Sequence, residues 1–293
     1  MSKNWSPCIL GNLVKIKHGF AFPGSGILNE ETENLLLTPG NFEVGGGFKY
    51  GKNKFFDGEV DSEYILSSGE VIVTMTDLSK QADTLGYSAK VPSGIKYRCL
   101  HNQRIGRVIP KNSTFCLDFI YWLMRSKEYR HWVVSRATGS TVKHTSPSRI
   151  EDFAFNLPPL YVQEGIAHIL STLDEKIDLN RKTSETIEGM AKALFQSWFI
   201  DFDPVREKAD GQSSGLPDDI SQLFPDSFKE SDFGEIPSGW EWSRLNKIAV
   251  NPRDIARPGE MTSSDRYIGL EHMPRGSICL DEYGEAENLG SNK

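Results

Sequence analysis

Residues 166–198 read IAHILSTLDEKIDLNRKTSETIEGMAKALFQSW, and the organisation of the whole chain turns on them. Every third or fourth residue gives Ile166, Leu170, Leu173, Ile177, Asn180, Ser184, Ile187, Ala191, Leu194 and Trp198, an unbroken four-three alternation. Its mean step of about 3.5 residues is the period of a coiled-coil seam. Pro158 and Pro159 stand just before it and Pro204 just after it, where proline can open a helix and cannot continue one. The stretch holds 33 residues, so it predicts a rod of about 50 Å, longer than an ordinary globular helix. Asp174, Glu175, Asp178, Arg181, Lys182, Glu185, Glu188 and Lys192 fall on the outer face and are expected to be solvated. Asn180 and Ser184 interrupt the seam; buried polar positions cost stability but set the register of a partner helix. The seam therefore predicts a paired helix and a partner interface.

With 293 residues, 38% of them hydrophobic and 11% aromatic, the chain is long enough for two domains with cores. Lys3, Asn4 and Trp5 leave no apolar signal core at the start, and no run approaches the length of a membrane span, so a cytoplasmic protein is expected. Cys8, Cys99, Cys116 and Cys279 show no Cys-x-x-Cys spacing and read as reduced and buried. The net charge of −7 conceals a gradient: residues 1–150 carry +6, residues 151–211 carry −6 and residues 212–293 carry −7. A basic first half joined to an acidic helical part suits a module that meets phosphate attached to one that meets protein.

Along the first half, apolar runs at 35–37, 64–66, 71–73 and 107–109 alternate with turn signals, the pattern of an α+β unit. A helix is expected from about Asp118, which would cap it, with Phe119, Trp122, Leu123 and Val133 on its core face. Three polar loops then stand out: 74–80, 101–104 and 136–147. The last combines glycine, hydroxyls and bases, which suits phosphate contacts, and the 101–104 loop (HNQR) carries side chains able to read base edges. On the basic half these predict a DNA face made of Lys49, Lys52, Lys54, Thr76, Lys80, Arg104, Ser140, Thr141, Lys143 and His144.

Residues 209–239 are rich in Gly, Pro, Ser and acids and read as a linker. Trp240, Leu245 and Ile248 then repeat the spacing of Trp5, Leu10 and Leu13, and residues 267–270 resemble 35–37, which suggests an internal duplication. No catalytic engine accompanies it. The glycine loop at 46–52 has the spacing of a phosphate-binding loop, but Asn53 takes its Ser/Thr position and no strand precedes it. The triplet Asp174-Glu175-Lys176 lies on the long helix without an acidic partner in a strand. The histidines lack metal-ligand spacing, and there is neither a Gly-x-Ser-x-Gly elbow nor an Asn/Asp-Pro-Pro-Tyr segment. No catalytic residue, metal or cofactor is expected.

The segments LPPLYVQE (157–164), LDEKIDLNR (173–181) and ALFQSWFIDFDPVR (193–206), with Gly139-Ser140-Thr141 before them and FGEIPSGW (233–240) after, resemble the specificity subunit of type I restriction-modification systems. The resemblance implies an α+β architecture. A first target recognition domain of short twisted strands plus helices would span 1–157, a coiled-coil spacer helix 158–208, and a linker 209–239. Residues 240–293 would then start a second, incomplete α+β domain. It implies a non-catalytic subunit that reads half of a bipartite target in double-stranded DNA. Type I modification (methyltransferase) subunits would dock on the helix, and a nuclease-translocase subunit would join for cleavage. Family members complete the second domain and add a second long helix. A truncated product, or a half-subunit that homodimerises through its helix, is therefore weighed beside the main reading, as is a purely structural coiled-coil protein.

Overall fold

The structure is a computed structural model that describes residues 5–51, 53–79, 81–252, 262, 264–274, 278, 280 and 283–285. Its fold is α+β, and its contacts divide into two units, one ending at Glu175 and the other beginning at Lys176.

The first unit is built around an antiparallel sheet of four strands, in the order Val14–His18, Ile105–Pro110, Val71–Thr74 and Ser88–Lys90. The continuous apolar run at Val71, Ile72 and Val73 is explained by burial of both faces of this sheet. Val71 and Val73 join Leu10, Ile16, Val108 and the helical residues Phe119, Ile120, Tyr129 and Val133 in one core. Ile72, Ala89 and Ile105 point the other way, into a second core with Leu35, Phe42, Phe55 and Cys99. That second core is supplied by a five-stranded mixed sheet, Ile27–Leu28, Lys54–Phe56, Asn34–Leu36, Arg98–Leu100 and Ile65–Leu66, in which only Arg98–Leu100 and Asn34–Leu36 run parallel. Gly106 lets the layers close: a Cβ there would come within 2.4 Å of Ile16 and 2.9 Å of Val73.

The expected single helix from Asp118 is in fact two, Leu117–Leu123 and Lys127–Ser135. Cys116 occupies the first cap, while Asp118 lies in the first turn and pairs with Lys90 at 2.9 Å. Ser126 caps the second helix by accepting from the Tyr129 amide. The break carries the chain round the core so that both helices bury their aromatic faces. Ser6–Ile9 pairs antiparallel with Ala154–Leu157, and the proline pair follows immediately.

The long helix runs Leu160–Phe199, 40 residues, about 60 Å. It begins six residues before the predicted seam, directly after Pro159. Its first turns are tied to the first unit. Gln163 is buried, accepts the Cys116 amide at 2.9 Å and donates to the Pro158 carbonyl at 2.8 Å. Trp122 donates to Ser171 at 3.0 Å, and Arg125 pairs with Asp174 at 3.1 Å. Asp174 is thus not the freely solvated charge its helical position implied. Further along, Leu173, Ile177, Ile187 and Leu194 stand about half exposed, from 48 to 60%. Asn180, Ser184 and Ala191 are exposed, whereas Ile166 packs on the first core and Trp198 is half-buried.

In the second unit the helix ends in an aromatic cluster. Trp198 and Phe199 lie against Phe224, and Phe202 against Phe228 and Trp240. Residues 209–239, expected as a linker, carry the short helix Asp218–Ser221 and the strand pair Phe228–Lys229 with Ile236–Pro237. Lys208 donates to the carbonyls of Ser221 and Phe224, and Phe224 and Ile236 are buried. The helical turn Leu245–Lys247 follows Trp240 as the turn Leu10–Leu13 follows Trp5. A second local likeness joins Asn34–Leu36 with Pro39–Asn41 and Arg266–Tyr267 with Leu270–His272: each is a strand, two residues and a 3-10 turn. In each turn the last side chain accepts the cap amide, Asn41 from Thr38 at 2.8 Å and His272 from Gly269 at 2.9 Å. Among the described residues no helix is long and apolar enough to cross a membrane.

Candidate nucleic-acid interface

Three polar loops singled out in the sequence meet at one end of the four-stranded sheet, where Val14–His18 and Val71–Thr74 end and Ile105–Pro110 begins. The Met75 backbone joins them. Its amide donates to the Arg104 carbonyl at 2.9 Å, and its carbonyl accepts from the Thr145 amide at 3.0 Å. Beside it, Thr76–Asp77 pairs antiparallel with Lys143–His144. His144 pairs in turn with Thr138 through two backbone hydrogen bonds of 2.8 and 2.9 Å, which closes a hairpin over residues 138–144.

The tip of that hairpin requires Gly139, which has φ +96°; a Cβ there would lie 1.9 Å from the Val142 carbonyl oxygen. The chain is thereby turned so that Ser140, Thr141 and His144 are exposed and Lys143 is half-buried. Thr76 faces inward, 5% exposed, with its hydroxyl 3.2 Å from Nδ1 of His144. Its place is under the hairpin rather than on an outer face.

Asp77 holds the neighbouring loop in shape. Its buried carboxylate accepts from the amides of Ser79, Thr84 and Leu85 and from the Thr84 hydroxyl. Burial pushes its pKa up, but the hydrogen bonds together outweigh burial and hold it below the usual aspartate value. Sequence reading missed this residue; an Asp two residues before a Ser in a polar loop is the signal that could have found it.

The 101–104 loop divides. His101 is fully buried, with Nε2 2.9 Å from the Ile105 carbonyl, and Asn102 spends its side-chain oxygen on the Arg104 amide. Desolvation pushes the His101 pKa down to about 4, and Arg107, Lys17 and His18 add to the effect against the Ile105 hydrogen bond. His101 is therefore a neutral core residue, and only Gln103 and Arg104 remain exposed. The Gln103 carbonyl lies 3.2 Å from Nδ1 of His18, a residue sequence reading had not placed here.

Lys49 and Lys54 are exposed but belong elsewhere: Lys49 pairs with Glu43 at 3.6 Å beside the glycine loop, and Lys54 donates to Asn29 on the five-stranded sheet. Lys52 and Lys80 lie outside the described residues, as does Cys279. The glycine loop at 45–47 is a turn between Phe42 and Phe48, with the Gly47 amide spent on the Ser88 carbonyl. Cys99 is buried, and Cys8 and Cys116 are partly so and unpaired.

A family model for the type I restriction modification DNA specificity domain matches residues 2–189. Among curated proteins, the type I restriction enzyme HindI specificity subunit of Haemophilus influenzae is 34% identical over 40% of this chain and 26% of its own length. The MjaIX specificity subunit of Methanocaldococcus jannaschii is 29% identical over 61% of this chain and 38% of its own. The EcoBI specificity subunit of Escherichia coli is 23% identical over 97% of this chain and 54% of its own. The chain thus spans between about a quarter and about half of the length of these relatives. Among solved structures, the S subunit of a type I restriction-modification system from M. genitalium aligns with a TM-score of 0.48 at 16% identity, over 69% of this chain and 47% of that one.

Proposed function

This chain belongs to the family of the type I restriction modification DNA specificity domain, and from that footing we propose that it is a non-catalytic DNA-recognition subunit. Its first unit reads one half of a bipartite double-stranded target. The observation that carries this reading is the convergence of three polar loops on the Met75 backbone at one sheet end, topped by an exposed hydroxyl-bearing hairpin. Hydroxyls, amides and cations so placed are the groups that contact DNA phosphates and base edges. Arg104, Ser140, Thr141, Lys143 and His144 remain the candidate contacts at this sheet end, with Thr76 supporting from beneath, while Lys49 and Lys54 lie away from it.

Modification subunits, which would carry the methyl transfer, dock along the helix Leu160–Phe199, and a nuclease-translocase subunit joins for cleavage. The half-exposed Leu173, Ile177, Ile187 and Leu194 support a helical partner there. The same exposure favours a second reading, in which two copies of this chain pair along the seam.

The deciding experiment is co-expression with type I modification subunits followed by mapping of methylated bases. A two-part motif with a fixed gap is expected, and a four-residue insertion between Lys176 and Thr183 should lengthen the helix by about 6 Å and change the gap. Methylation without any two-part motif would refute the recognition role. An unchanged gap in the insertion variant would refute the helix as a ruler.

A further inference from the structure

Among the described residues, seven cations of the first unit pair with carboxylates: Lys49 with Glu43, as above, and six more. Lys17 is neutralised by Glu63, Lys90 by Asp118, Lys96 by Glu31, Arg98 by Glu33, Arg107 by Glu70 and Arg125 by Asp174. Arg136 and Arg149 are two of the first unit's cations that, among the described residues, have no carboxylate within salt-bridge distance, and they differ from the others in flanking one tryptophan at the hairpin. Trp132 touches both, the side chain of one and the backbone of the other. The Arg136 guanidinium lies over the Trp132 ring at 3.4 Å from its centroid, and the Trp132 indole N–H donates to the Arg149 carbonyl at 3.0 Å. Nη1 of Arg149 reaches the Thr138 hydroxyl at 3.4 Å, at the stem of the hairpin. Nη1 of Arg136 donates to the Ser135 hydroxyl at 3.3 Å, and a guanidinium stacked on an indole loses little freedom when its in-plane donors meet further oxygens. Such a group, charged, orientated and without a counter-ion from its own chain, is suited to a phosphate diester.

We propose that Arg136 and Arg149, seated around Trp132 at the stem of the 138–144 hairpin, form a site for backbone phosphates of double-stranded DNA, with Ser140 and Thr141 leading into the groove. This rests on the reading of the first unit as a DNA reader and deepens it by separating roles. The arginine pair sets the register on the backbone, and the hairpin tip meets the bases.

The test uses the full chain and a random-sequence DNA duplex, with affinity measured as a function of salt. Each phosphate contact contributes a slope of about 0.9 in log affinity against log salt, so the double variant R136A/R149A should lower the slope by about 2. R136K/R149K, which keeps the charge, should retain most of it. K127A, an exposed cation at the opposite end of the helix Lys127–Ser135, should leave it unchanged. If the wild-type chain binds with a salt-dependent affinity and R136A/R149A shares its slope, the phosphate site is overturned and the DNA-reading function stands. If R136K/R149K loses as much slope as R136A/R149A, the effect is structural and the site is likewise overturned. If the wild-type chain shows no salt-dependent binding, both the site and the DNA-reading function fail.

Discussion

Acidification should weaken the first unit through His101. This ring is fully buried, donates from Nε2 to the Ile105 carbonyl, and has no partner at Nδ1 among the described residues. Its pKa is pushed down to about 4 by desolvation, with Arg107, Lys17 and His18 adding repulsion. Since the folded value lies below the unfolded value of about 6.5, the unfolded chain takes up the proton first. The stability associated with the neutral ring is therefore complete above about pH 6.5 and is lost progressively down to about pH 4. The separation of the two values corresponds to about 3 kcal/mol. Urea unfolding of the first unit at a series of pH values should show this loss. His101→Gln removes the titrating ring while keeping a donor for the Ile105 carbonyl, so its own pH dependence should be shallower by about the same amount over that window. Because the His101 amide and carbonyl hold Tyr64 and Phe20 in place, DNA binding by the wild-type chain should fall in parallel. Identical pH profiles for the two proteins between pH 4 and pH 6.5 would refute the argument.

Three further outcomes are expected. Asp77→Ala strands three amides and a hydroxyl, some of which can reach water, and should cost about 3 kcal/mol in urea unfolding. In the wild type the benefit of this depressed carboxylate is present above the usual aspartate pKa and is lost as pH falls below it, a lower window than that of His101; a cost under about 0.5 kcal/mol would contradict the assigned role. Gly139→Ala should open the hairpin, because a Cβ meets the Val142 oxygen and φ is positive, so amide exchange at Thr138 and His144 should accelerate; unchanged protection would count against it. Ile177→Lys should alter the stability of the isolated chain by less than about 0.5 kcal/mol, since the side chain is half exposed. Co-purification with modification subunits should nevertheless be lost; retention would remove the seam from the interface.

The long helix was legible because its evidence is local: a strict four-three repeat with prolines at its ends needs no knowledge of distant residues. The strands near 35–37, 64–66, 71–73 and 107–109 were legible for the same reason. All four fall on strands within a residue or two. The helix break at 124–126 was not, since it depends on Ser126 finding the Tyr129 amide while two aromatic faces turn toward one core.

What the sequence by itself determined was the kinds of element and their order: apolar-run strands with turns between them, then one long helix with a four-three apolar repeat. Period and punctuation are properties of neighbours in the chain, so they survive without a fold. Only the tertiary structure decided which polar groups are used up inside the protein. His101 and Thr76 face inward, Asp174 is claimed by Arg125, and the loops at 74–80, 101–104 and 136–147 join through Met75. Those outcomes depend on hydrogen bonds between residues tens of positions apart. Such bonds leave no periodic trace, because a polar side chain is the same letter whether it meets water, a carbonyl or a phosphate.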